Sequence, residues 1–168
     1  MLFDLARTYS YSGGCGIDIS KLRPRGMKVN NASNTTTGAV SFMDTFSQVT
    51  GTIGQNGRRG ALMISIDCSH PDLEEFIEVK NDLTRVTKAN ISVRVNDDFM
   101  NAVVNDLDWE LYFKTEHGDE MRKVVKAKEI FRLLSKNNWS MAEPGILFWD
   151  RIENYNLLSE DENFKYAG

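Results

Sequence analysis

Four apolar runs of strand length recur along the chain, and between them lie stretches whose apolar residues fall at helical spacing. That alternation limits the fold more than any single motif does. The first run places Ile17, Ile19 and Leu22 alternately with polar neighbours, the pattern of a half-buried strand, and Pro24 and Gly26 end it. ALMISIDC at 61–68 is continuously apolar, which suits a strand covered on both faces. NISVRV at 90–95 alternates Ile91, Val93 and Val95, and ILFWD at 146–150 reads as a further short strand.

The intervening stretches carry helix signals. Residues 1–12 read as the end of a helix passing into a loop. Phe42, Met43, Phe46, Val49 and Ile53 put an apolar stripe on a helix over 39–53. Ser69, His70, Pro71 and Asp72 open a helix over DLEEFIEVK, with acidic residues at its positive end. Asn96 or Asp97 caps a helix through Phe99, Val103 and Leu107, and Ile130, Phe131 and Leu134 mark another over about 127–138. Trp109 to Phe113 reads as a short strand or hairpin arm before the charged stretch KTEHGDEMRK. Strands joined by helical crossovers form a largely parallel sheet. The expected class is therefore α/β, as a right-handed α/β layer or part of a barrel, with ligands gathered at the carboxyl ends of the strands.

Three loops could carry chemistry. S-G-G-C-G at 12–16 either lets a backbone approach a ligand or is simply a tight turn into a strand. It lacks the G-x-G-x-x-G spacing and the Lys-Ser/Thr of phosphate motifs. GQNGRRG at 54–60 sets two arginines among glycines, either to stack on a base and clamp a phosphate or to solvate the loop. Lys21, Arg23, Arg25 and Lys28 precede a polar Asn/Thr-rich loop at 27–38 that has nothing to bury; they could hold a triphosphate or form a solvated edge.

Other chemistries find little purchase. His70 and His117 stand far apart and near no cysteine pair, which disfavours zinc. Cys15 and Cys68 have no adjacent histidine base, make no disulfide framework, and read as small buried thiols of a reducing, cytoplasmic compartment. Trp109, Trp139 and Trp149 read as core or interface anchors. A net charge of −4 argues against a nucleic-acid coat, and no run approaches the ~20 apolar residues of a bilayer span, so no membrane partner is expected. Residue chemistry alone reaches an α/β unit with anion- or nucleotide-binding loops, and no reaction.

Taken together and in this order, GGCGIDISKLRPRG, TGAVSFMDTFSQVTGTIGQNGRRGALM, HPDLEEFIEVK, NISVRV and EPGILFWD resemble the large catalytic subunit of ribonucleotide reductase, over essentially the whole chain. The wording of GQNGRRGALM is most similar to the adenosylcobalamin-dependent class. The resemblance implies a ten-stranded α/β barrel of two parallel half-barrels. Residues 1–168 would then be a single fragment of it, about one half-barrel with crossover helices, carrying both specificity loops. It implies reduction of ribonucleotides to deoxyribonucleotides by thiyl-radical chemistry, adenosylcobalamin as cofactor, deoxynucleoside triphosphates as allosteric effectors, and a thioredoxin or glutaredoxin system as reductant.

Residue by residue, the resemblance places Gly13 and Gly14 at the substrate ribose and Arg58 facing the substrate. It places Arg23 at the effector phosphates. Asn31 and Ser33 fall in the first specificity loop, about 27–38, and Gln55 and Asn56 in the second, 54–60, all as effector contacts. The helix at 39–53 matches one that forms a homodimer. The family's thiyl cysteine sits in an Asn-x-Cys-x-Glu motif that this sequence lacks, and KYAG comes about where that motif is expected. With ends that are neither capped nor polar, the chain reads as a fragment, inactive as it stands. The rival reading is a non-enzymatic α/β binding or oligomerisation module that uses the 39–53 helix as its surface. A glycyl-radical enzyme piece is a third, which GQNGRRGA fits less well.

Overall fold

The computed structural model describes residues 1–30, 32–53 and 60–157. In chain order the elements are α1 (Leu2–Ser10), β1 (Gly14–Asp18), α2 (Ala39–Thr52), β2 (Ala61–Asp67), α3 (Leu73–Glu78), β3 (Asn90–Val95), α4 (Asp97–Val104), β4 (Asp108–Lys114), β5 (Glu120–Lys126), α5 (Ala127–Met141), β6 (Gly145–Phe148) and α6 (Trp149–Asn154). Four strands form one parallel sheet in the order β1, β2, β3, β6, while β4 and β5 form a separate antiparallel hairpin. This is the α/β class read from the alternation. The sheet is open, as a partial barrel would be, and no closed barrel forms among the described residues.

Register decides what each face carries. Ile17 lies beside Ile64 and Ile64 beside Ile91, so these side chains, with Leu62, Ile66, Val93 and Val95, point to one face and are buried beneath the helices. The opposite face takes Gly14, Gly16 and Asp18 of β1, Met63, Ser65 and Asp67 of β2, and Ser92 and Arg94 of β3. The expectation that 61–68 is covered on both faces is corrected here, because Met63 remains 40% exposed. At the carboxyl ends of three strands on that second face, Arg94 bonds Asp18, reaches Asp67 at 3.5 Å and stacks 4.3 Å over the Trp149 ring.

Several boundaries differ from the sequence reading. Glycines 14 and 16 belong to β1 itself, which ends at Asp18; Ile19 and Leu22 lie in the turn that follows. The tight turn before the strand is made by Ser12, at φ +63°, and Gly13. The 27–38 loop does bury something: Met27 is enclosed, and an antiparallel bridge between Lys28 and Thr35 folds the loop on itself. α4 stops at Val104, leaving Leu107 exposed, and α5 runs three residues beyond 138 to Met141. Trp149 and Asp150 open α6 rather than closing a strand.

β5 is the element the sequence reading missed. Its apolar residues are interleaved with charges whose partners lie across the turn, as in the pairs Arg122 with Glu110 and Lys126 with Asp108. On α2, Met43 and Phe46 of the predicted stripe are consumed by this chain's own core, whereas Phe42 is 44% exposed. Of the tryptophans, Trp109 packs edge-on against Phe99 at 5.2 Å, but Trp139 is exposed and anchors nothing among the described residues.

Candidate functional site

Beyond the carboxyl end of β1 the chain turns sharply. Ser20 donates its backbone N–H to Asp18 Oδ1 at 2.7 Å, and its hydroxyl accepts the Asp67 N–H at 2.8 Å, tying the exits of β1 and β2 together. The next residues, Lys21 to Arg23, form one wall of a recess of about 790 Å³. A second wall comes from Ser33, Thr35, Thr36 and Thr37 of the folded loop and from Phe42 of α2. The third is the tip of the β4–β5 hairpin, Phe113 to His117. Lys21, Arg23 and Lys114 supply positive charge, although Lys114 also pairs with Glu120 at 3.2 Å, and Glu116 is the acidic residue among the described lining. The lining also carries threonine and serine hydroxyls, and Phe42 and Phe113 offer apolar surface. Such a lining can take an anionic group together with a flat apolar one.

A short segment between β2 and α3 holds this recess in shape. His70 is buried, donating Nε2–H to the Leu22 carbonyl at 2.9 Å and accepting the Asp72 N–H on Nδ1 at 3.0 Å. That pattern requires a neutral ring protonated on Nε2, and burial lowers the pKa in the same sense. The buried Asp72 carboxylate accepts the Arg25 N–H at 2.9 and 3.1 Å and the Ala39 N–H at 2.8 Å. α2 begins after Gly38, which has no side chain to cap it, so Asp72 supplies the anionic cap from another element.

The predicted residues divide. Arg23 and Ser33 come together in the recess, and among the described residues Arg23 has no ion-pair partner. Arg25 does not join them, because its guanidinium forks onto Glu75 at 2.9 and 2.5 Å, and Lys28 lies outside the lining. Asn31, Gln55, Asn56 and Arg58 lie outside the described residues. Gly13 and Gly14 sit at the opposite, amino end of β1, where Gly14 lines a smaller recess of about 420 Å³ with Gly16, Gly60, Met63, Lys88 and Asn90. Gly13 has a packing reason of its own, since a Cβ there would stand 2.6 Å from the Thr8 methyl.

Cys68 is fully buried and its thiol is pushed up to about 12 by desolvation, so it stays a protonated, inert side chain. Among the described residues no group of three or more His, Cys, Asp and Glu side chains could hold a metal ion, and no helix is long and apolar enough to cross a membrane. Sequence reasoning missed the hairpin tip and the reach of His70 and Asp72. Its only local signal was a proline and an aspartate at a helix start, which does not disclose a partner more than thirty residues away.

Comparison with known proteins bears on the same residues. A family model described as ribonucleotide reductase, barrel domain, matches residues 1–165. The chain is 36% identical over 157 residues to a vitamin B12-dependent ribonucleoside-diphosphate reductase of Thermoplasma acidophilum, covering 92% of this chain and 20% of that protein. It is 33% identical over 172 residues to a vitamin B12-dependent ribonucleotide reductase of Streptomyces clavuligerus, covering 88% and 18%. A ribonucleoside-diphosphate reductase large subunit of Ostreid herpesvirus 1 is 26% identical over 185 residues, covering 94% and 21%. The chain thus spans about a fifth of the length of these relatives.

Proposed function

We propose, for a chain that belongs to the ribonucleotide reductase family and matches its barrel domain, that the recess around Arg23 is the seat of a deoxynucleoside triphosphate effector. The observation that carries this is the meeting of Lys21, Arg23 and the hydroxyl-rich loop around one hollow at the carboxyl end of a parallel strand. The triphosphate lies against the cations, and the base finds apolar surface at Phe42 or Phe113. Ser33 contacts the effector, as do Asn31, Gln55 and Asn56 of the loops. Gly13 and Gly14 meet the ribose of the substrate at the other end of β1, with Arg58 facing it. Effector and substrate are then read at opposite ends of one strand, and the 54–60 segment, which runs into the amino end of β2, links them as an allosteric relay.

The whole protein, on this reading, reduces ribonucleotides to deoxyribonucleotides for DNA synthesis in the cytoplasm, with a thioredoxin or glutaredoxin system as reductant. Relatives named as vitamin B12-dependent support adenosylcobalamin as its cofactor. The residues described here do not fit that group. The recess of about 790 Å³ is lined by hydroxyls and cations, with only Leu22, Val29, Phe42 and Phe113 as apolar surface, a lining suited to a compact anion and not to a broad corrin face. A homodimer forms along the exposed side of α2, with Phe42 as its apolar contact, since Met43 and Phe46 are already spent on the core. Nothing observed favours a non-enzymatic module.

Equilibrium binding of dATP, dTTP and dGTP to the whole protein tests the effector site. Arg23→Ala should weaken binding by about ten- to a hundred-fold, the worth of a charge-assisted phosphate contact. Equal affinity in both proteins would overturn the assignment.

A further inference from the structure

All three walls of the recess hang on one segment, residues 68–72. The Arg23 wall is tethered on both sides of the arginine, by the Leu22 carbonyl on His70 and the Arg25 N–H on Asp72. The loop and α2 wall is tethered where the helix begins, by the Ala39 N–H on Asp72. The hairpin wall is tethered by the Tyr112 N–H on the Ser69 carbonyl at 2.7 Å, the Trp109 indole N–H on the Cys68 carbonyl at 2.9 Å, and the Phe113 ring edge-on to His70 at 5.7 Å. Neither His70 nor Asp72 lines the recess.

We infer that Asp72, with His70 behind it, is the positioning residue for Arg23: it does not touch the bound anion but fixes the arginine between two tethered neighbours. The inference rests on the effector reading of the recess. Physically, one buried carboxylate draws together two chain ends, the Arg25 amide and the α2 amino terminus, and the intervening loop must close over whatever geometry that carboxylate dictates. Released at Asp72, Arg23 keeps its charge but samples orientations that miss the phosphates, so part of the binding free energy goes into reordering it.

The test is a double-mutant cycle on dNTP affinity in the whole protein, with wild type, Arg23→Ala, Asp72→Asn and the double variant measured up to millimolar dTTP, dATP and dGTP. Asp72→Asn is expected to weaken binding about ten-fold when Arg23 is present and no more than about two-fold when it is alanine. A purely structural role lowers both by the same factor, and that result would overturn the inference. Unchanged affinity in Asp72→Asn with weakened affinity in Arg23→Ala would also overturn it while leaving the effector site standing. No binding by the wild type would overturn both. Should Asp72→Asn fail to fold, His70→Asn keeps an acceptor for the Asp72 N–H and loses the Leu22 tether together with the Phe113 ring contact. It is expected to weaken binding several-fold with Arg23 present, and no loss would refute the positioning role.

Discussion

Gly38 is where the fold has least freedom to accept a side chain. It precedes α2 at φ +94° and ψ 164°, a region that only glycine occupies without strain. A Cβ built on it would stand 2.8 Å from Asp72 Oδ2, 2.9 Å from Arg25 Cβ and 3.0 Å from Arg25 N, the very atoms of the loop clamp. Gly38→Ala therefore combines backbone strain of about 1–3 kcal/mol with overpacking of about 1–3 kcal/mol, roughly 2–6 kcal/mol in all. Gly26 supplies the control. It also has a positive φ, +80°, but its Cβ would meet nothing within 4 Å, so Gly26→Ala carries the backbone strain alone, about 1–2 kcal/mol. Urea denaturation followed by circular dichroism reads both, with the midpoint shift converted at constant slope. If Gly38→Ala lost no more stability than Gly26→Ala, the clamp around Asp72 would have slack enough to admit a methyl group, and it could not hold Arg23 in one place.

Two further outcomes follow from buried groups. Burial holds the His70 pKa below its ordinary value near 6.5, against the opposing pull of the Leu22 carbonyl and of Asp72, Asp67 and Asp18. The unfolded chain therefore takes up a proton at a higher pH than the folded one. The His70 contribution to stability is complete above about pH 6.5, falls as pH drops from there toward the folded value, and is flat below it. Melting temperatures across pH 5 to 8 should show this slope in the wild type and a shallower one in His70→Asn; equal slopes would exclude His70 as its source. Cys68, buried with its thiol raised to about 12, should resist iodoacetamide at pH 8 in the native protein and react on denaturation, as read by mass spectrometry of the alkylated peptide. Rapid native labelling at Cys68 would contradict its placement in the core.

What could be read from the sequence was whatever one segment decides for itself. NISVRV announces β3 by its own alternation, and Asn96 caps α4 by accepting the Phe99 N–H three residues ahead. β5 could not be read that way, because Arg122 and Lys126 look solvated until Glu110 and Asp108 are seen across the turn. The same holds at the site. Arg23 was legible as a cation beside a polar loop, whereas Arg25 looked equivalent and is instead committed to Glu75, fifty residues on. Asp72 gave only a helix-start signal. Its bonds to Arg25 and Ala39 exist because β1 and β2 lie side by side and bring their exits together.

Among the described residues β1 and β6 each have a single neighbour in the sheet, so one flank of Gly14–Asp18 offers its amides and carbonyls to solvent or to another chain. With glycine at 14 and 16 that flank carries few side chains to turn a visitor away. Such an edge is quietened most simply by one more strand laid against it, and a sheet that curls until its margins are paired does so with backbone alone. The same bare margin makes this chain, handled by itself at high concentration, prone to recruit its own copies.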